Sequence, residues 1–304
     1  MSRSIPHTCE PVCPLCGSKK SWTIPFFCHE ADVVVRRGNG YHWRLCLICG
    51  NGFPSSEPTL AELQIYWNRN RIDSAEAPVT EEIWRYRLAV SRVWAQRSYD
   101  FVAPFVHSDS RRFLDVACGL GETVALFQEH GWQAEGVDAD PNVKVFHERL
   151  GIHTTIGQME SVGTSSRFDL VSIAHAIYFI TEPRLFVQRV CNMLDEGGIF
   201  LVVLSDLLSS LNASDPRYVH TWYPTSYSLA YLLEQEGFEI LGCRRVKGSI
   251  MVVARRGALA CPRAHPYRVY RAYWSHLSHG WRHRLIGNPL LVAASLLKRL
   301  RNGA

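Results

Sequence analysis

Phe113-Leu-Asp-Val-Ala-Cys-Gly-Leu-Gly-Glu-Thr123 is followed, one helix length later, by Ala134-Glu-Gly-Val-Asp-Ala-Asp140. Two short apolar runs each end in a carboxylate, with a glycine turn and a helical pattern between them, which is the opening strand-helix-strand of a nucleotide-binding α/β domain. Working outward, strands are expected over 112–116, 134–137, 154–156, 168–173, 198–204, 238–244 and 250–254. Helical spacing covers 123–129, 143–150, 184–194 and 226–236. Such alternation predicts a doubly wound, Rossmann-like sheet of seven strands that ends in a hairpin.

Gly119 and Gly121 let the backbone approach a ligand where the next helix begins, so free amides there can meet a carboxylate or phosphate. The dinucleotide fingerprint is not met, because Val124 stands three positions after Gly121, and no Walker lysine is present. A carboxylate-bearing ligand smaller than a dinucleotide is therefore expected. Asp138 ends the second strand, where a carboxylate can accept both ribose hydroxyls, and Asp140 before Pro141 suits a turn or cap.

Asp115-Val-Ala-Cys-Gly-Leu-Gly121, Gly136-Val-Asp-Ala-Asp140, Gly157-Gln-Met-Glu160, Phe168-Asp-Leu-Val171 and Leu194-Asp-Glu-Gly-Gly198 resemble, in order, the motifs of class I S-adenosylmethionine-dependent methyltransferases. The resemblance implies that Asp115 and the turn Ala117, Cys118, Gly119 and Gly121 hold the methionine moiety of S-adenosylmethionine. It implies Asp138 with Ala139 at the ribose and Gln158 with Met159 at the adenine, with His175 bordering the pocket. Gln158 can accept from the adenine amino group, and the Met159 thioether can pack on the ring. The chain departs from the family at Ala117, often glycine, and at Gln158, often aspartate.

Methyl transfer from a sulfonium asks the enzyme to align a nucleophile and, for a hydroxyl, to remove its proton. Ala174-His-Ala-Ile-Tyr-Phe-Ile-Thr-Glu-Pro183 matches the family's first histidine at His175, but Tyr178 and Phe179 replace its Glu and second His. His175 is read either as pocket packing or as general base, and Tyr178 as a pocket wall, its phenol being a weak base. His220, ahead of Trp222 and Tyr223, is a second base candidate or a solvated loop histidine. Cys118 is read as a buried thiol beside the cofactor.

Near the start, Cys13-Pro-Leu-Cys16-Gly17 and Cys46-Leu-Ile-Cys49-Gly50 are two CxxC-Gly knuckles flanking strand formers at 22–27 and 33–35. Two knuckles can supply four thiolates to a structural, tetrahedral Zn2+ with no open position; buried free thiols and two disulfides are the alternatives, the latter disfavoured in a reducing compartment. Cys9, Cys28, His29 and His42 are spare donors. The ribbon with this domain resembles zinc-ribbon methyltransferases of cell-surface glycan and natural-product biosynthesis, and the stretch His220 to Leu229 is similar to theirs.

Four units follow: a ribbon (1–56), connecting or lid helices (57–108), the methyltransferase domain (109–256) and a basic tail (257–304). In the second unit, helical spacing at 59–70 and 80–106 gives a broad aromatic face from Ile83 to Phe101, read as packing between ribbon and sheet. Tyr66, Trp67 and Tyr86 are pocket candidates. The net charge is +5, but no Asp or Glu follows Gly257, where eight Lys and Arg residues lie. Residues 289–297 are apolar and end in Lys298-Arg299-Leu300-Arg301, which reads as peripheral contact with anionic lipid, as an ordinary terminal helix or as an oligomer contact.

No apolar leader and no bilayer-length apolar run are present, and ten cysteines suit metal and free thiols in a reducing compartment, so a cytoplasmic protein is expected. The ribbon's lysines and arginines form no dense stripe, so nucleic acid is not an expected partner. The expected function is methylation of a glycan or small-molecule acceptor at oxygen. N- or C-methylation of a natural-product scaffold, an RNA methyltransferase and a non-catalytic cofactor-binding scaffold are the rivals.

Overall fold

The computed structural model describes residues 11–24, 43–55, 80–107, 111–162, 166–208, 220–246, 248–257 and 264–287. The spare donors Cys9, Cys28, His29 and His42, the helix expected at 59–70 with Tyr66 and Trp67, and the tail after Gly287 lie outside them. Three short strands, β1 (Ser21–Thr23), β2 (Trp43–Cys46) and β3 (Gly52–Pro54), form an antiparallel ribbon in the order β1-β2-β3.

The large sheet contains β4 (Arg112–Val116), β5 (Gln133–Asp138), β6 (His153–Ile156), β7 (Phe168–Ala174), β8 (Leu194–Ser205), β9 (Phe238–Val246) and β10 (Ser249–Arg256). Its order is β6-β5-β4-β7-β8-β10-β9, parallel from β6 to β8, with β10 antiparallel to both neighbours. The expected doubly wound architecture and terminal hairpin are both present. Chain order reverses beside β4, and at such a switch point the parallel strands leave a crevice at their carboxyl ends.

The central strands are apolar on both faces because both faces are covered. On β8, Ile199, Leu201 and Val203 pack on one side with Val102, Val124, Phe127 and Trp132, while Phe200, Val202 and Leu204 pack on the other. The first side is covered by α1 (Glu81–Val102) and α2 (Glu122–Glu129). On the second side lie α4 (Pro183–Met193), α5 (Ser226–Gln235) and the ribbon itself, through Leu45 and Phe53. The short helix α3 (Lys144–Leu150) links β5 to β6. Among the described residues no helix is long and apolar enough to cross a membrane.

α1 starts where the sequence indicates: the Thr80 side chain accepts from the Ile83 amide at 3.3 Å, and Glu81 and Glu82 complement the helix dipole. Its aromatic face is narrower than expected. Trp84, Ala95, Ser98 and Val102 are buried, whereas Ile83, Tyr86, Val90 and Val93 are exposed, because the helix packs on α2, the sheet and, through Trp84 on Phe146, α3 along one stripe only. Arg92 tightens that packing by pairing with Glu129 and, at 3.5 Å, with Glu122.

The ribbon is joined to the sheet by the loop before α5 and by α6 (Pro266–Gly287). Gly52 and Tyr223 exchange two backbone hydrogen bonds, of 2.9 and 2.7 Å. A Cβ on Gly52 would lie 2.8 Å from the Tyr223 carbonyl, so this approach needs glycine. Thr225 caps α5 by accepting from the Ser228 amide, and its hydroxyl donates to the Gly50 carbonyl at 2.9 Å. From the other side, Val269 and Tyr273 of α6 are buried, and the Tyr273 hydroxyl donates to the Thr23 carbonyl at 3.1 Å.

Thr225→Val keeps the side-chain shape but removes both the cap and the partner of a buried carbonyl. It should lower the unfolding free energy by about 2–3 kcal/mol in denaturant titration; an unchanged midpoint would mean that this hydroxyl does not hold the ribbon to α5.

Candidate functional site

At the carboxyl edge of β4 and β5 two acids face a bare turn of backbone. Asp115 is buried in β4 opposite Gly136, and Asp138 is the last residue of β5. Between them in sequence the chain runs left-handed at Ala117 (φ 55°), Gly119 (φ 54°) and Gly121 (φ 87°), the last opening α2. A Cβ on Gly119 would meet nothing within 4 Å, whereas one on Gly121 would lie 2.2 Å from Ile152. The first glycine therefore leaves open space at the turn, and the second lets the turn pack.

Asp138 is held by the turn it faces. Its Oδ2 accepts from the Gly119 amide and its Oδ1 from the Asp140 amide, both at 2.8 Å, leaving each oxygen a second lone pair. Asp140 in turn accepts from the Asn142 amide, the capping post its sequence position indicates. Burial raises the Asp138 carboxyl above its usual range against these two amides, which lower it. Asp115 is pushed up to about 7 by burial, against the Ser172 hydroxyl that donates to it and with the Asp138 charge adding to the rise. The same burial, with both acids nearby, raises the Cys118 thiol and keeps it protonated.

His147, which the sequence reading did not single out, completes the turn. From α3 its Nε2 donates to the Gly119 carbonyl at 2.7 Å, while Nδ1 meets the Thr154 hydroxyl of β6 at 2.8 Å. A carbonyl can only accept, so Nε2 carries the proton. Both ends of Gly119 are thus tied, its amide to Asp138 and its carbonyl to His147. A histidine on the buried side of a short helix reads as core, and its reach to the turn is a tertiary fact.

Across the switch point, His175 follows β7 with φ 54°, its amide donating to the Val203 carbonyl at 2.7 Å. Burial lowers its imidazole pKa, which favours the neutral, proton-accepting ring. Trp94 of α1 meets it edge-on at 5.4 Å, a contact absent from the sequence reading. Gln158 is exposed beside β6, Met159 beneath it is buried, and Ala139 is exposed after Asp138.

Tyr178 and His220 face one another at 4.6 Å, and Tyr178 stacks on Tyr223 at 5.1 Å. His220 is buried among Tyr178, Phe179 and Tyr223, which corrects the solvated-loop reading. The three catalytic candidates therefore fall into two groups, His175 against Trp94, and Tyr178 with His220 in an aromatic cluster that reaches Trp43 of the ribbon through Tyr223.

The ribbon brings Cys13, Cys16, Cys46 and Cys49 together with all four sulfurs within 4.8 Å of one another. Cys13 and Cys49 are 3.6 Å apart and Cys16 and Cys46 3.5 Å, far beyond disulfide length. Tetrahedral thiolate coordination with bonds of about 2.3 Å gives an edge of about 3.8 Å, so the spacing suits one ion. Gly17 and Gly50 turn the knuckles at φ 70° and 80°, with their amides bonded to the Cys13 and Cys46 carbonyls. Hydrogen bonds from its neighbours hold the Cys46 thiol below the usual range, and contacts among the sulfurs push Cys13 and Cys49 above it. Four sulfurs this close cannot all ionise without mutual repulsion, which a bound cation would offset.

The family described as a methyltransferase domain matches residues 84–242, a little over half of the chain. The chain belongs to this methyltransferase family. A Geobacillus sp. (strain WCH70) protein whose name proposes a methyltransferase is 25% identical over 147 residues, which cover 42% of this chain and 59% of that protein's length. Among solved structures, the S-adenosylmethionine dependent methyltransferase from Mesorhizobium loti is 16% identical with a TM-score of 0.47, covering 56% of this chain and all of its own. The glycopeptide N-methyltransferase MtfA complexed with S-adenosyl-L-methionine is 17% identical with a TM-score of 0.43, covering 53% of this chain and 92% of its own.

Asp115 carries a pH signature. Its raised pKa means that the folded state holds a proton that the unfolded state has released above about pH 4, so its contribution to stability is lost as pH rises from about 4 through about 7. Asp115→Asn, which retains an acceptor for Ser172, should flatten the fall in unfolding free energy over that window by on the order of a few kcal/mol. Parallel pH curves for the two proteins would show that Asp115 titrates normally.

Proposed function

We propose that this methyltransferase binds S-adenosylmethionine across the carboxyl edge of β4, β5 and β6 and transfers its methyl group to an oxygen of a glycan or small-molecule acceptor. The observation that carries the reading is the pair of desolvated acids on either side of the left-handed turn: a buried carboxylate without a cation favours its proton, and a cationic ligand relieves that. Asp138, fixed by two amides, accepts the ribose hydroxyls with its remaining lone pairs. Ala117, Cys118 and the Gly119–Gly121 turn, with Asp115, receive the methionine part; Ala139, Gln158 and Met159 border the adenine.

Once bound, the cofactor supplies a methyl group already activated by its sulfonium. The protein's part is to orient the acceptor and take its proton. His175 is the base we favour, because its ring is kept neutral by burial and its backbone is fixed at the edge of the central strand. Tyr178 and His220, packed against one another, serve as the acceptor-side wall. The four cysteines bind structural zinc, which stabilises the ribbon and, through Gly50 and Gly52, the loop carrying His220.

Calorimetric titration with S-adenosylmethionine and S-adenosylhomocysteine tests the core of this reading. Saturable micromolar binding is expected; no heat with either ligand would remove it. Asp138→Ala should weaken that binding about 100-fold, through two lost charge-assisted hydrogen bonds, and unaltered affinity would displace the ribose from Asp138.

Metal analysis of the same preparation should give one zinc per chain. Cys46→Ser should lose it together with several degrees of melting temperature, and full zinc retention would place the metal elsewhere.

A further inference from the structure

Docking α6 on the ribbon produces a surface that the methyltransferase site does not use. Trp22 of β1 meets Tyr270, Tyr273 and Trp274 at ring separations of 5.6, 5.4 and 6.3 Å. Tyr273 is the buried anchor, but the others remain open to solvent: Trp22 is 36% exposed, Tyr270 45%, Trp274 48% and Tyr267, one turn earlier, 72%. Scattered single aromatics are ordinary, whereas four on one face need a partner. Lys19, Lys20 and Arg44 of the ribbon and Arg268 and Arg271 of α6 share this unit, and residues 11–24, 43–55 and 264–287 contain no Asp or Glu. The Arg271 guanidinium lies over the Tyr267 ring at 6.0 Å.

We infer that this ribbon and α6 face is a docking surface for an anionic lipid membrane. Tryptophan and tyrosine settle at the headgroup boundary, where their rings reach acyl chains and their polar atoms stay wet, and interleaved arginines meet the phosphates. Single-stranded nucleic acid also recruits cations and aromatics, but through ring faces open to base stacking. Here the rings of Trp22, Tyr270 and Trp274 tilt against one another at 58°, 77° and 66°, a rugged cluster and not a row of parallel platforms for successive bases. Beyond α6 the sequence has the same character, apolar over 289–297 and then basic.

Co-sedimentation of the full chain with phosphatidylcholine vesicles, with and without phosphatidylglycerol, tests the surface. Binding is expected to require phosphatidylglycerol and to fall with salt. Arg268→Gln with Arg271→Gln removes two exposed charges and should weaken it about 30-fold. Tyr270→Ser with Trp274→Ser should weaken it roughly tenfold while the unfolding midpoint stays near that of the parent. Parent-like vesicle binding by the arginine variant would overturn the assignment. So would a single-stranded RNA oligonucleotide that binds the parent in place of vesicles and is lost in the aromatic variant.

Discussion

Two carboxylates at neighbouring strand ends, both short of water, set the terms for everything around them. Parallel pairing of β4 with β5 places Asp115 and Asp138 on the same edge, where the Asp138 charge adds to the cost of ionising Asp115. The chain answers with donors: Ser172 for Asp115, and the amides of Gly119 and Asp140 for Asp138. Backbone amides are the cheaper answer at Asp138 because they carry no side-chain entropy. They also make the acid and the turn one unit, so that the shape of the glycine turn depends on a carboxylate 19 positions away. His147 closes the unit by holding the carbonyl of the same residue.

The ribbon is bound into this arrangement from the opposite face of the sheet. From the cysteine cluster, Gly50 and Gly52 reach Thr225 and Tyr223; Tyr223 stacks on Tyr178; and Tyr178 lies three residues after His175. Every contact in that series is a hydrogen bond to backbone or a ring packed in the buried core, which gives it little freedom to loosen piecemeal. Losing the ribbon's order would therefore expose Leu45 and Phe53 together with the wall beside the site, since they share one core with α4 and α5.

The central strands of the large sheet were legible because both faces are covered, which turns each into an apolar run with turn residues at its ends. Phe113 to Val116 and Phe168 to Ile173 are such runs, and Asp115 stands out in the first as a charge without a local reason. β2 and β3 were not foreseen, because strands of four and three residues with cysteines and glycines between them give no period to read. The α1 face was overread, since aromatic content marks packing only where a partner surface exists, and partners exist only along one stripe, from Trp84, stacked on Phe146 of α3, to Val102 in the core beside the sheet. His147, Trp94 and the burial of His220 were illegible for a different reason: each depends on which helix or loop arrives from elsewhere in the chain.

Strain at the strand ends completes the physical account of the site. Ala117 and His175 follow adjacent strands, β4 and β7, and both hold left-handed backbone, which costs a non-glycine residue about 1–2 kcal/mol. Alanine at 117 has the smallest Cβ-bearing side chain that can accept that conformation. The neighbouring strands enforce both turns: the Cys118 amide bonds to the Val137 carbonyl at 3.1 Å and the His175 amide to the Val203 carbonyl at 2.7 Å. Because the sheet's own hydrogen bonds hold these conformations, the edge proposed to face the cofactor is bent in its absence. Binding there then need not supply the energy of bending, and more of it remains to favour a cationic ligand over a neutral one.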